Sequence, residues 1–367
     1  LGTRRPRLGR LKKYSVRPVF VAVSAPVRWP SPNAWTGGGW SPNTAPSAMC
    51  LLVAEGRTLP GGAAHRYSAG DMTAGLRHYL RTSSAAWHLL NMPARLRALG
   101  RGPDLPPAAA EAAKALGADG IALAHLDDIA GPDVGAALSA SIRQRLAARP
   151  LFVRLAENGP PRAGKKDSFL VNLWDGPYDI DPQNPFLRLA LSDAVLGVVS
   201  RYLGMLPKFR AFWLQATIPV PAGTVPYASP RWHADPDARK MVKVFCYLSD
   251  VNAGAGPFTY IRGTHSGGRW RRHFPFDPAR GRHPDPARVR SIVPLEDIAV
   301  ATGRAGTIIF CDTSGIHRGG YATERERIMF TAVFTTPASA LPTRYGRAAG
   351  TRPETFGSAA ARFAVQP

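Results

Sequence analysis

The spacing of apolar residues divides the chain into a helix-rich first part and a strand-rich second part. Over residues 74–90, Leu76, Tyr79, Leu80, Trp87 and Leu90 recur at helical spacing, which predicts an amphipathic helix or a pair of helices. The Ala-rich stretch 107–116 has Pro107 at its head and Gly117 behind it, the punctuation of a short helix. A further helix is predicted over 134–148. The best-bounded helix has Asn184 as cap, Pro185 in its first turn, a body over 186–202 and Gly204 as stop. Apolar residues nearly encircle it, so it should be buried. Two short apolar runs, 120–126 and 151–155, read as strands. From residue 209 onward the helical period is lost. The segments 209–218, 242–248, 258–261, 306–310 and 327–334 read as strands, with Gly256-Pro257 as a turn. Helices followed by a run of strands predict an α+β fold in which N-terminal helices flank a β-rich core.

Candidate chemistry lies on those strands. Side chains of an extended segment alternate, so His233 and Asp235 project to one side and can share a cation. His317 follows the 306–310 strand and precedes Gly319 and Gly320, which permit close approach. With His233 and Asp235 it completes a 2-His-1-carboxylate face, which holds Fe(II) and leaves positions open for a cosubstrate and O2. Arg327, at the head of the 327–334 strand, offers a planar fork to a carboxylate. Arg325 competes for that role, because alternate strand positions share a face. Gln215 sits inside the 209–218 strand and either faces the metal pocket or is a hydrogen-bonded core residue. Lys243 and Tyr247 on the next strand either reach the cosubstrate or are, respectively, a surface Lys and a packed Tyr. Arg318 should point away from the side that His317 faces. Of the other histidines, His125 reads as structural, His265 as a rim or hydrogen-bonding residue, and His273 and His283 as exposed loop positions.

Taken in order, His233-x-Asp235, the segment from Gly256-Pro257-Phe258-Thr259-Tyr260-Ile261 to Arg262-Gly263-Thr264-His265, then His317 and Arg327, resemble the phytanoyl-CoA dioxygenase family of Fe(II)/2-oxoglutarate oxygenases. The resemblance covers about residues 205–340 in detail. His-x-Asp alone is a weak pattern; the ordered set of four elements is specific. The resemblance implies a double-stranded β-helix (jelly-roll) core over about 205–337, inside an oxygenase domain spanning 71–340. It further implies His233, Asp235 and His317 as iron ligands, and Arg327 as the clamp on the far carboxylate of 2-oxoglutarate; Gln215 and Lys243 remain the further candidates for cosubstrate contact on their strand positions alone. The implied reaction uses O2, releases succinate and CO2, and hydroxylates an unactivated C–H bond of a small-molecule substrate. Related halogenating enzymes replace the carboxylate ligand by a small residue; Asp235 favours hydroxylation. A cupin-like metal enzyme without 2-oxoglutarate would use the same three ligands but would not need Arg327. A non-catalytic jelly-roll binding protein would have little reason to keep all three ligands.

Charge changes this picture less than its size suggests. The net charge is +22, yet only eight of the 47 basic residues are Lys, and the chain also holds 36 Gly and 35 Pro. That Arg-heavy bias points to a GC-rich coding sequence more than to a phosphate-binding face, and no nucleic-acid-binding motif accompanies it. Nucleic acid is therefore not the expected partner. No apolar run reaches the length of a membrane-spanning helix, so no membrane association is expected either. Cys50, Cys246 and Cys311 are odd in number and lack metal-ligand spacing; Cys246 and Cys311, in or beside predicted strands, read as buried free thiols, and a reducing cytoplasm fits. Residues 1–70 are basic and rich in Pro and Gly, with no acidic residue before Glu55, and are expected to be poorly ordered. A basic targeting segment is the alternative. Because the chain starts at Leu1, an upstream extension, or a true start at Met49 or Met72, fits as well. The loop over 157–167 is expected on the surface, 266–291 is an Arg-rich insertion read as a solvated loop or a lid for an anionic substrate, and 341–367 is expected to be a C-terminal tail. Nothing in the sequence indicates an oligomeric state.

Overall fold

Alternation along the long strands sends side chains to two faces, and both faces are buried. The computed structural model describes residues 84–99, 105–157, 169–221, 223–225, 229–236, 238–275, 282–339 and 341–366. The helical part comprises α1 (Ser84–Ala98), α2 (Pro107–Asp119), β1 (Ile121–His125), α3 (Leu126–Ala130), α4 (Pro132–Ala148) and α5 (Leu151–Glu157). Then come β2 (Leu170–Asn172), β3 (Asp179–Ile180), α6 (Pro185–Ala190) and α7 (Asp193–Leu203). The strand-rich part comprises β4 (Lys208–Thr217), β5 (Met241–Tyr247), β6 (Phe258–Ile261), α8 (Pro286–Ile292), β7 (Ile298–Ala301), β8 (Thr307–Cys311), β9 (His317–Arg318) and β10 (Arg327–Thr335). The chain closes with β11 (Gly346–Arg347) and α9 (Ala359–Val365).

Six strands form one antiparallel sheet in the order β1-β8-β5-β10-β4-β2, and three form a smaller antiparallel sheet, β7-β6-β9. On one face of the large sheet, Phe212 and Leu214 of β4, Val244 of β5 and Phe330 of β10 join the helices in the main core. On the other, Phe245 and Tyr247 of β5 and Ile309 of β8 pack with Phe258 and Tyr260 of the small sheet. The large sheet is thus sandwiched between helices and the small sheet, and the candidate site lies between the two sheets. Among the described residues, no helix is long and apolar enough to cross a membrane. Cys246 and Cys311 are buried free thiols, while Cys50 lies outside the described residues.

Most predicted elements are present, with four departures. The run 151–155 is helical, not a strand, because the Pro150 carbonyl accepts from the amides of Val153 (3.0 Å) and Arg154 (3.2 Å) and opens a helical turn. Buried Arg154 then secures α5 by a bidentate pair with Asp175 (2.8 and 3.1 Å). The helix predicted over 186–202 is two, α6 and α7: Asn184 caps the first, and Ser192 Oγ accepts the Val195 amide (3.4 Å) to restart the second. Gly204 ends α7 in the left-handed conformation, as its position predicts. Helix α2 runs past Gly117 to Asp119, and Gly120 (φ +80°) is its cap. Residues 341–367, read from sequence as a tail, carry β11, which pairs with β3, and α9, whose Phe363, Ala364 and Val365 enter the main core. The predicted helix at 74–90 is described only from Ser84, and the predicted loop at 157–167 lies almost wholly outside the described residues.

Candidate metal centre

Backbone pairing brings the two histidines together before any side chain acts. His233 N donates to His317 O (2.9 Å) and His317 N to His233 O (2.8 Å), an isolated antiparallel bridge that sets the ring centroids 4.2 Å apart. Two residues on, Asp235 N donates to Thr313 O (2.8 Å), so the carboxylate turns to the same side as the His233 ring. One ligand atom from each of His233, Asp235 and His317 can be chosen so that all three lie within 4.8 Å of one another. His317 is buried, and Asp235 is 13% exposed.

Each imidazole is oriented by the carbonyl two residues before it. His233 Nδ1 lies 2.8 Å from Arg231 O and His317 Nδ1 lies 3.0 Å from Gly315 O. A carbonyl only accepts, so Nδ1 carries the proton in both rings and Nε2 keeps its lone pair for the centre. Burial lowers the pKa of His233, and it lowers that of His317 further, to about 3, with help from the neighbouring His233 ring. Both rings are neutral near pH 7. Burial alone would raise the Asp235 pKa, but the Lys243 ammonium, 2.7 Å from Oδ2, and the His317 ring hold it well below the carboxylate range. Two neutral imidazoles with inward lone pairs and one ionised carboxylate fit a divalent transition metal.

Arg327 supplies a second charged feature of the same cavity. It opens β10 in register with Thr217 at the end of β4. Its guanidinium is buried, donating to Gly256 O and to Thr217 Oγ1 (3.0 Å), both neutral acceptors, and its Nε has no hydrogen-bond partner among the described residues. Desolvation lowers its pKa from the ordinary Arg value. A buried cation set against neutral oxygens is a prepared site for a carboxylate. The turn that offers Gly256 O needs glycine there: φ is +69°, and a Cβ would fall 2.5 Å from Gly320 O.

The cavity that joins these groups has a volume of about 520 Å³, and Gln215, Trp213, Phe245, Phe258 and Met329 line it with His233, Asp235, His317, Lys243 and Arg327. Gln215 therefore takes the pocket-facing option, and Lys243 lies within the cavity as Asp235's ion-pair partner, not at the surface. Tyr247 is packed: its hydroxyl donates to Ala301 O (2.9 Å) and accepts from Phe258 N (3.1 Å). Arg325 is exposed ahead of β10, whereas Arg327 is buried on it and lines the cavity. Arg318 leans on the Trp232 ring at 4.4 Å. His125 caps α3, and His265 is buried against Gly117 O (3.3 Å), not on the rim.

The described part of the Arg-rich insertion is largely exposed, as expected of a solvated loop, but is anchored at several points. Arg269 pairs with Asp297, Trp270 Nε1 donates to Asp297 Oδ2 (2.7 Å), and Arg271 and Arg282 both donate to Ser314 O (3.4 and 3.3 Å). His283 is exposed, as predicted, but its ring stacks on His233 at 6.0 Å. Sequence reasoning passed over Trp213, although period two places it on one face with Gln215. It also passed over Tyr178 and Arg344, which line the same cavity and come from segments without periodicity.

No protein-family model matches the chain, and no curated protein sequence matches it. Several solved structures are similar in backbone. One is EctD from S. alaskensis with 2-oxoglutarate and 5-hydroxyectoine (20% identity, TM-score 0.46, covering 72% of this chain and 89% of that one). Another is the epimerase SnoN in complex with Fe3+, alpha ketoglutarate and nogalamycin RO (18% identity, TM-score 0.44, 67% and 88%). A third is AviO1 from Streptomyces viridochromogenes Tue57 (18% identity, TM-score 0.43, 63% and 96%).

Proposed function

We propose that the chain is a non-haem Fe(II)- and 2-oxoglutarate-dependent oxygenase that hydroxylates an unactivated C–H bond of a small molecule, with its two sheets as the halves of a jelly-roll. One observation carries this reading: His233, Asp235 and His317 converge in a cavity that also receives the buried guanidinium of Arg327. The ligand set alone would serve many metal enzymes; the buried Arg specifies an anionic cosubstrate.

In this reading His233, Asp235 and His317 hold the iron, which would supply O2 activation coupled to oxidation of 2-oxoglutarate. Arg327 binds the far carboxylate of 2-oxoglutarate in bidentate fashion, its plane kept in place by Gly256 O and Thr217 Oγ1. Arg231 O and Gly315 O keep both imidazole lone pairs aimed inward through the cycle. Trp213, Phe245, Phe258 and Met329 exclude water from the region where the substrate's C–H bond lies. Lys243 balances the Asp235 carboxylate, and Gln215 offers a hydrogen bond to the cosubstrate. The experiment is succinate release by purified protein with a pool of small molecules: release should require both added Fe(II) and 2-oxoglutarate. Consumption of a pool member, followed in parallel, that persists without 2-oxoglutarate would replace this reading with a cupin-like one.

A further inference from the structure

The cavity has two ends, and the proposed cosubstrate uses only one. Strand β4 forms its floor, with Ala211, Trp213, Gln215 and Thr217 lining it in succession. Arg327 stands beside Thr217 at one end. Six residues back along β4, roughly 20 Å at strand rise, the lining is Ala211, Tyr178 and Arg344.

Arg344 is exposed, but its backbone is fixed from two sides. Its amide donates to Arg210 O of β4 (2.7 Å), and two residues on Gly346 N donates to Tyr178 O (2.9 Å), where β11 pairs with β3. Tyr178 is itself held, its hydroxyl donating to Asn172 Oδ1 (2.9 Å) and its ring packed against Trp174 and Phe212. Arg344 thus lines the cavity from a braced segment, and Trp213 and Tyr178 belong to the same lining.

Charge accounting points the same way. Among the described residues lining the cavity, the single acid is Asp235, against Lys243, Arg327 and Arg344. Lys243 is matched to Asp235 at 2.7 Å. Arg327 is matched to the far carboxylate of 2-oxoglutarate in the reading above, which leaves Arg344 to be matched from outside.

We infer that the primary substrate carries one anionic group and a planar apolar body, the anion held by Arg344 at the mouth and the body lying along Trp213 and Tyr178. This deepens the oxygenase reading and rests on it for the assignment of Arg327. Arg344 is then a specificity-determining residue, selecting by charge at the entrance and leaving metal and cosubstrate binding alone.

The test uses the full chain, with 3-phenylpropionate and its uncharged analogue 3-phenylpropionamide as probes, followed by ligand-observed NMR at low salt. Excess 2-oxoglutarate is present so that Arg327 is occupied. The acid should bind at least about threefold tighter than the amide, the scale of an exposed charge pair. In Arg344→Gln that ratio should fall to about one, with the affinity for 2-oxoglutarate unchanged. Equal binding of acid and amide by the native chain, no binding of either, or a preference that survives in Arg344→Gln overturns the inference. Binding of 2-oxoglutarate is measured separately in the same samples. Its absence would sink the oxygenase reading, whereas the comparison of acid with amide in Arg344→Gln still reports on the mouth.

Discussion

Arg327 and Asp235 bring opposite charges into one cavity, and each is tuned by what lies beside it. Arg327 touches neutral oxygens, and the proposed function gives it a carboxylate; Asp235 faces Lys243 at 2.7 Å. Replacing Arg327 by Lys keeps the charge but loses the fork, so KM for 2-oxoglutarate should rise about tenfold or more, as steady-state succinate release would report. His317→Ala removes a neutral, inward-facing nitrogen and should abolish retention of Fe(II), measured on the desalted protein, together with turnover. Unchanged iron content would count against the metal assignment. At this scale the sequence was legible, because period two alone puts His233 and Asp235 on one side and separates Trp213 and Gln215 from Phe212 and Leu214. The sequence placed Arg327 at the head of its strand and left Arg325, on the same parity, as the competitor; the different burial of the two appears only in the structure, where Arg325 is exposed ahead of β10 and Arg327 is buried on it.

Among elements, the turn before β6 has the most consequence for the site. Gly256 holds a left-handed conformation against Gly320, and its carbonyl anchors Arg327. Gly256→Ala should cost about 2 kcal/mol or more in urea unfolding, from backbone strain and the clash together. It should also weaken 2-oxoglutarate binding, because the anchor moves. Ser192 has a plainer role, and Ser192→Ala should cost about 0.5–1 kcal/mol through loss of the α7 cap, with no change in cosubstrate affinity. Strands longer than five residues and the caps at Asn184 and Gly204 were readable because local chemistry fixes them. The run 151–155 was misread since five residues, four of them apolar, carry no usable period; the helix there is set by its Pro150 carbonyl and by the contact of Arg154 with Asp175, 21 residues away. The break between α6 and α7 had a readable signal, a Ser followed by Asp, hidden inside an otherwise continuous apolar pattern.

For the whole molecule, buried neutral histidines make stability depend on pH. His317 has its pKa lowered by burial to about 3, and His265, also buried, is lowered too, from the ordinary 6.5. Below pH 6.5 the unfolded chain takes up protons that the folded chain refuses, so stability is full above that pH and is lost as pH falls toward the folded values. Urea midpoints should therefore drop between about pH 7 and pH 5, with a slope of up to roughly 1.4 kcal/mol per pH unit for each such histidine. His265→Gln should flatten that slope; an unchanged slope would assign the effect elsewhere. By itself the sequence determined that helices precede strands, that His233 shares a side with Asp235, and that a guanidinium heads a late strand, since these follow from local periodicity and capping. Tertiary structure decided what no local rule reaches: the bridge that joins residues 233 and 317, the burial of Arg327 and the exposure of Arg325, and the return of the last residues to the cavity lining and the core. Those outcomes depend on pairings between segments far apart in the chain, whose partners are fixed only when both faces of the large sheet are covered.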